Sequence, residues 1–167
     1  MAPVVILLLA GLVQFAMIFE RQIGIDNAIR EAARRGATLT TDTSSMQTNA
    51  NWTLSQAQTL MANSVQGYSA SRDTIEVCFF KPNAYPTDPS GNYQVDVRVS
   101  DSYRHPLFMP IVDLLLDPLD GVTDQSLKAT SVTEFHVEQT ATTPPDIGTG
   151  AGAKVTEGTG TTGVCTQ

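Results

Sequence analysis

The first 19 residues carry no charged side chain, and this segment constrains the fold more than any other feature of the chain. Met1 to Phe19 reads MAPVVILLLAGLVQFAMIF, in which Gln14 is the one strongly polar residue. As a helix it would be roughly 28 Å long at about 1.5 Å per residue, and a bilayer core is about 30 Å thick. A cleaved signal peptide fits less well, because the segment lacks a basic n-region and a small-residue cleavage site. We therefore predict a membrane-spanning helix.

The helical pattern continues beyond the apolar segment. Ile25, Ile29 and Gly36 recur at helical spacing, with arginine and acidic side chains on the other faces. A core helix of a soluble domain is the alternative, but such a uniformly apolar helix would need cover on all sides, which a domain of this size seldom provides. We predict one helix, with a transmembrane half over residues 1–19 and an amphipathic continuation over residues 20–37.

Residues 38–139 have the pattern of a small α+β head. A loop over 40–51 is followed by a capping box at Thr53 and Gln56, which predicts a second, short helix over about 54–66. Three later stretches alternate between apolar and polar residues and predict a small antiparallel sheet. The predicted inward-facing positions are Ile75, Val77, Phe79; Tyr93, Val95, Val97, Val99; and Leu127, Ala129, Ser131, Thr133, Phe135, Val137.

An apolar stretch with three prolines, Pro106 to Leu119, separates the second and third alternations. The prolines exclude one clean helix. One interpretation is a short helix or turn that covers the sheet. The other is an exposed patch that docks on a partner or on the membrane surface, since large apolar patches are rarely idle. The candidate patch residues are Leu107, Phe108, Ile111, Leu114 and Leu115.

Residues 140–167 are rich in Thr and Gly and predict a flexible tail. The tail contains Cys165, and the one other cysteine is Cys78 in the first predicted strand. In an exported domain a disulfide is the favoured interpretation, and two free thiols are the alternative. Alternation places Cys78 on the face opposite Ile75, Val77 and Phe79, where a returning tail could cover it.

Composition and motifs point away from catalysis and nucleic acid. A net charge of −7 disfavours a protein that binds nucleic acid by neutralising phosphates. The two histidines, His105 and His136, lie in no metal-binding pattern, and no nucleophile elbow or phosphate-binding loop is present. The spacing of Asp117, Asp120 and Asp124 departs from a calcium loop. We expect no catalytic residue, no metal site, no cofactor and no enzymatic activity.

The residues that follow the apolar helix resemble a known family. Residues 27–34 read N-A-I-R-E-A-A-R. This is similar to the TadE-like family of minor pseudopilins, from bacterial tight-adherence (Flp-type) pilus and secretion systems, which shows a Pro-bearing apolar helix followed by a stretch close to N-A-A-R-E-G-A-R. The matching positions are Pro3, Asn27, Ala28, Arg30, Glu31, Ala33 and Arg34.

The resemblance implies a structural minor pseudopilin that acts by membrane anchoring and subunit assembly. Its implied partners are other pilins or pseudopilins, the pilus assembly platform, membrane lipid and a prepilin peptidase. Its implied location is the bacterial cytoplasmic membrane, as a single-pass protein with an extracytoplasmic head that can enter the pilus. We expect helix packing at Ala10, Gly11, Phe15 and Ala16, since small residues let membrane helices approach closely. From another functional class, the alternative is a membrane-anchored exported protein that binds an envelope or extracellular ligand.

Overall fold

The structure, a computed structural model, describes residues 2–39, 45–69, 72–80, 95–106, 126–137, 152–156 and 165. The elements are α1 (Ala2–Ala37), α2 (Met46–Ser64), β1 (Asp73–Phe80), β2 (Asp96–Pro106), β3 (Ser126–His136) and β4 (Gly152–Thr156). The predicted α+β class is confirmed, with a long apolar N-terminal helix, a second helix and a small antiparallel sheet. The candidate patch from Leu107 to Leu115 and the three acids from Asp117 to Asp124 lie outside the described residues.

The four strands form one antiparallel sheet in the order β3-β2-β1-β4. At its centre Val77 of β1 is the register partner of Val99 of β2 and Val155 of β4. The predicted alternation of the first two strands is observed at their described positions, since Val97 and Val99 lie fully buried on the inner face. Tyr93 lies outside the described residues. The apolar inner face is therefore available to pack against the helices.

The fourth strand corrects part of the tail prediction. Gly152–Thr156, five residues of the segment expected to be flexible, pair with β1 from Glu76 to Phe80. Composition misses this strand because it is short, begins with glycine and has little apolar content. Backbone hydrogen bonds to a central strand can order such a segment whatever its side chains contribute. The described part of the tail is thus an edge strand of the head.

Both helices cover the inner face of the sheet and run antiparallel to each other. α1 packs tightly on α2 and the sheet at Gly36, where an added Cβ would lie 2.8 Å from Thr53 Oγ1 and 3.3 Å from Val97 Cγ2. Near the other end of the contact, an added Cβ at Gly24 would lie 3.2 Å from the Ser64 carbonyl oxygen. The core of the head combines α1 from Ile25 onward with α2 and the inner-face strand residues.

The second helix begins earlier than the capping-box pattern predicts. α2 starts at Met46, so Thr53 is buried in the helix interior and is not an N-cap. Ala50 and Met46 continue the apolar stripe one and two turns before Leu54, and both are buried in the core. Because this stripe packs on α1, tertiary contacts extend the helix through residues that were expected to form a loop.

A second, smaller cluster lies on the outer face of the sheet. Cys78, Phe80 and Cys165 are all nearly fully buried there. The structure joins Cys78 and Cys165 in a disulfide, with their Cα atoms 6.0 Å apart. The bridge holds residue 165 against the face of β1 that the alternation assigns to Cys78.

Candidate membrane and assembly interface

The N-terminal half of α1 presents an uncovered apolar surface. Its large side chains are exposed to an extent that folded proteins rarely allow, including Val4 at 58%, Leu12 at 66% and Phe19 at 64%. α1 is long and apolar enough to cross a membrane, and only 11% of its most apolar window is buried. This low burial separates it from the core helix of a soluble domain. The surface therefore needs lipid or protein to cover it.

The four residues predicted to pack against neighbouring helices belong to this uncovered half. Ala10 and Gly11 are half-buried, whereas Phe15 and Ala16 are exposed. A Cβ added at Gly11 would meet no atom within 4 Å in the described part of the chain. Gly11 therefore leaves room for the close approach of a second helix, and the described residues do not supply such a helix.

Gln14 does not interrupt the apolar surface. The side chain is 2% exposed, and neither its amide nitrogen nor its amide oxygen has a hydrogen-bond partner among the described residues. Its neighbours Val13 and Phe15 are exposed at 59% and 45%. The exposed surface of the membrane half is consequently apolar at each described position from Val4 to Phe19.

The family-like stretch of α1 divides between the two sides of the helix. Ala28 and Ala33 are buried against α2 and the sheet, together with the neighbouring Ile29 and Ala32. Asn27, Arg30 and Arg34 are exposed on the other side. The side chain of Pro3 lies outside the described residues. The small residues of the motif thus serve packing inside the head, and its polar residues form an outer surface.

Glu31 links the polar residues of this motif to the second helix. Arg34 donates two hydrogen bonds to Glu31, of 2.9 and 3.0 Å, and Arg35 donates one of 2.8 Å. Arg35 also donates to Gln56 Oε1 of α2 at 2.9 Å. The hydrogen bonds from Arg34, and then those from Arg35, lower the pKa of Glu31 to about 2. The carboxylate therefore stays ionised at physiological pH and aligns both arginines.

A buried ion pair marks the point where α1 leaves its apolar half. Arg21 Nη2 lies 2.6 Å from Asp73 Oδ1, and the guanidinium stacks over the Tyr103 ring at 5.2 Å from its centroid. The second carboxylate oxygen of Asp73 accepts a 2.7 Å hydrogen bond from the Ser69 backbone N–H. The ion pair therefore joins α1, at the start of the half that belongs to the head, to the first residue of β1.

A chain of polar side chains continues from this pair along α1. The Tyr103 hydroxyl donates to Gln22 Oε1 at 2.6 Å, and the Gln22 amide donates to Asp26 Oδ1 at 3.1 Å. Ser131 of β3 donates to the same carboxylate oxygen of Asp26. Burial is the main cause that raises the pKa of Tyr103, which keeps its hydroxyl protonated as a donor. The network orients three sheet strands relative to the helix.

A cavity of about 310 Å³ lies beside the ion pair. Its lining residues are Met17, Glu20, Arg21, Ser64, Gln66 and His105. Burial, and secondarily the charge of Arg21, lower the pKa of His105. Neither ring nitrogen has a hydrogen-bond partner among the described residues. The junction therefore holds a neutral imidazole next to a buried guanidinium.

Sequence reasoning did not identify this junction. Arg21 and Asp73 lie 52 positions apart, and neither belongs to a recognisable motif. One available signal is the position of Arg21 two residues after the apolar run, where a charge is expected to meet the head. His136 contacts buried Asp96 on the outer face. Within the described ranges, no three His, Cys, Asp or Glu residues are placed to hold a metal ion.

The comparison with known families agrees with this architecture. Residues 1–34 match the family described as TadE-like protein. No curated protein and no solved structure matches the chain. The matched residues cover the exposed apolar half of α1 and the family-like stretch up to Arg34. Over these 34 of 167 residues the resemblance in the sequence is confirmed, and the N-terminal helix is similar to that of TadE-like proteins.

Proposed function

We propose that the protein is a structural minor pseudopilin of a tight-adherence pilus or secretion system. The observation that supports this role is the division of α1 into two halves. One half leaves its apolar side chains exposed, and the other half is built into the core of the head. Such a helix can be withdrawn from lipid and packed among other pilin helices while the head keeps its own fold.

The packing contribution of the apolar half depends on shape more than on hydrophobicity. Within a bilayer the lipid tails are as apolar as leucine, so helices associate through close van der Waals contact at small residues. Ala10 and Gly11 supply such a site on one helix face. The partners in this proposal are other pilins or pseudopilins and the assembly platform. The subunit is a single-pass protein of the cytoplasmic membrane with an extracytoplasmic head.

Leucine substitutions at the small positions test the assembly role. Gly11→Leu or Ala10→Leu should leave membrane insertion unchanged, because leucine is favourable in lipid. Both should weaken co-purification of partner pilins by at least severalfold, because the added side chain separates the backbones. Val5→Leu is a matched control, since it adds apolar volume to an exposed position that lies roughly 120° or more around the helix from both Ala10 and Gly11. Unchanged co-purification in both Gly11 and Ala10 variants would argue against this face as the assembly surface.

The alternative function, an anchored exported binding protein, remains a prediction. It depends on the apolar stretch after Pro106 or on the tail, and residues 107–125 lie outside the described residues. A leader ending in Gly before a Glu-bearing helix, read from upstream codons, would support the pseudopilin, whereas a lipobox would support the binding protein.

A further inference from the structure

The contacts of α1 show which end of the sheet lies nearest to the apolar half. Arg21, two residues after that half, contacts Asp73 at the start of β1. Fifteen residues later, Gly36 lies beside Val97, which pairs with Phe79 near the end of β1. The sheet end that carries Asp73, Tyr103 and Ala129 is therefore level with the end of the apolar half. If that half spans a bilayer, this sheet end faces the headgroup layer.

Three cationic side chains gather at this end on the outer face of the sheet. Arg72, Arg104 and Lys128 are exposed, and with Thr74 and Ser102 they line one depression of about 540 Å³. Arg104 and Lys128 are register partners on neighbouring strands, as are Thr74 and Ser102. We call these five residues the basic rim. The rim offers charged and hydroxyl donors on a single surface.

The basic rim contrasts with the charge of the rest of the chain. The whole chain has a net charge of −7. Farther along the outer face the described charges are mixed, since Lys154 pairs with Glu76 at 2.7 Å. At the sheet end farther from the apolar half, burial is the main cause that raises the pKa of Glu134, and the adjacent Asp96 raises this pKa further. Cations are thus concentrated at the end of the described outer face that lies level with the end of the apolar half.

We infer that the basic rim binds the phosphate-bearing headgroups of anionic phospholipids in the leaflet next to the head. The inference rests on the membrane anchor of the proposed function. Guanidinium groups donate paired hydrogen bonds to phosphate oxygens, and an ammonium adds a compact positive charge. Each cation held at an anionic membrane surface strengthens association by about fivefold. Together with the ion pair at Arg21, this contact restrains the head against tilting about α1.

The full chain in a non-ionic detergent provides the test. Native mass spectrometry compares binding of phosphatidylglycerol with that of phosphatidylcholine of identical acyl chains. Wild type should bind the anionic lipid at least tenfold more tightly than the zwitterionic one. Arg72→Gln with Lys128→Gln should reduce this preference by about 25-fold or abolish it, at about fivefold per cation. Arg72→Lys with Lys128→Arg should retain the preference, because the charges remain.

A matched control separates local from overall charge. Arg30→Gln with Arg34→Gln removes the same charge from exposed positions of α1. These residues lie about 13 to 20 Å beyond Arg21 along the helix, at about 1.5 Å per residue, which exceeds the Debye length of about 8 Å at physiological ionic strength. The control should keep the lipid preference of wild type. Equal loss in the control would overturn the basic rim as the binding surface.

Two further arms distinguish the remaining outcomes. Millimolar inorganic phosphate should not displace the lipid, and displacement would indicate a site for free phosphate in place of a membrane contact. Flotation with phosphatidylcholine vesicles measures anchoring independently of headgroup charge. A chain that floats but shows no preference for phosphatidylglycerol overturns this inference alone. A chain that does not float overturns the anchor of the proposed function.

Discussion

Arg21 and Asp73 form an ion pair whose side chains are only 8% and 0% exposed. Both charges have lost most of their hydration, and each depends on the other and on the Tyr103 and Ser69 contacts for compensation. Asp73→Asn should therefore lower the free energy of unfolding by about 3 kcal/mol, because it leaves the guanidinium buried without a counter-charge. Urea unfolding of the full chain in detergent, followed by circular dichroism, measures this loss.

The double variant Arg21→Met with Asp73→Leu controls for the origin of the effect. Replacing both charges by apolar groups should recover much of the lost stability, since the desolvation cost disappears with the charges. A loss below about 0.5 kcal/mol in Asp73→Asn, typical of an exposed pair, would show that water reaches the Arg21 guanidinium.

The lowered pKa of His105 predicts that the stability of the head depends on pH. Its pKa in the folded protein lies below the ordinary value of 6.5, so the folded state binds fewer protons than the unfolded state. Stability is then complete above the unfolded pKa of about 6.5 and falls as the pH drops through it toward the folded pKa. The melting temperature should decrease between pH 7.5 and pH 5.5. His105→Gln should reduce this decrease, and an unaltered slope in that variant would assign the dependence to other groups.

Two glycines of the same helix predict different responses of head stability to an added methyl group. Gly36 packs against Thr53 and Val97, where a Cβ would come within 2.8 to 3.3 Å of their atoms. Gly36→Ala should cost about 1–2 kcal/mol of stability, because the overpacking outweighs the gain in helix propensity. Gly11→Ala, which meets no described atom, should leave head stability unchanged. Thermal melts of both variants in one detergent decide this, and equal melting temperatures would contradict the close packing at Gly36.

The pairing of β4 and the disulfide predict how the tail is held. Cys165→Ser should lower head stability by up to about 4 kcal/mol, because it opens a closed loop of almost ninety residues. The bridged residues themselves are 87 positions apart. Mass spectrometry of non-reduced, thiol-blocked protein from the envelope fraction should show one cross-linked peptide pair. Quantitative alkylation of both cysteines would contradict the bridge.

The sequence predicts some elements better than others. The difference depends on whether an element is ordered by its own side chains or by contacts with distant segments. Alternation predicts the inner faces of β1 and β2 because their own valines form the core. β4 has no such signal, since its pairing partner supplies its order. The sequence pattern places the start of α2 too late, because the residues around Thr53 resemble an N-cap. In the structure Thr53 lies inside the helix, where it packs beside Gly36. Local patterns could not report either tertiary effect.

Removing Met1 to Phe19 should release the head from the membrane. The remaining 148 residues of the 167 still carry −7, because the removed segment has no charged residue. They retain the ion pair at Arg21 and the core from Ile25 onward. Fractionation should find this variant in the soluble fraction. Sedimentation with membranes after a salt wash would show that the deleted segment is not the sole membrane contact.

At the scale of the whole molecule, the sequence predicts only part of the candidate interface. The apolar run and the family-like stretch are continuous, so composition and spacing identify them. The junction and the basic rim are each assembled from distant segments. Arg72, Arg104 and Lys128 become neighbours only because three antiparallel strands share one register. Single-sequence patterns carry no information about such convergence.

The position of β1 between β2 and β4 has a consequence for the order of folding. β1 precedes one of its two neighbours, β4, and the partner of Cys78 by more than 70 residues, so both are synthesised well after it. Contacts of such long sequence separation form slowly. A nascent chain stalled before residue 152 would therefore retain a reduced Cys78 and an unpaired edge on β1. Completion of the head therefore waits for residues 152–165, and chains truncated before them would be open to intermolecular strand pairing and disulfide exchange.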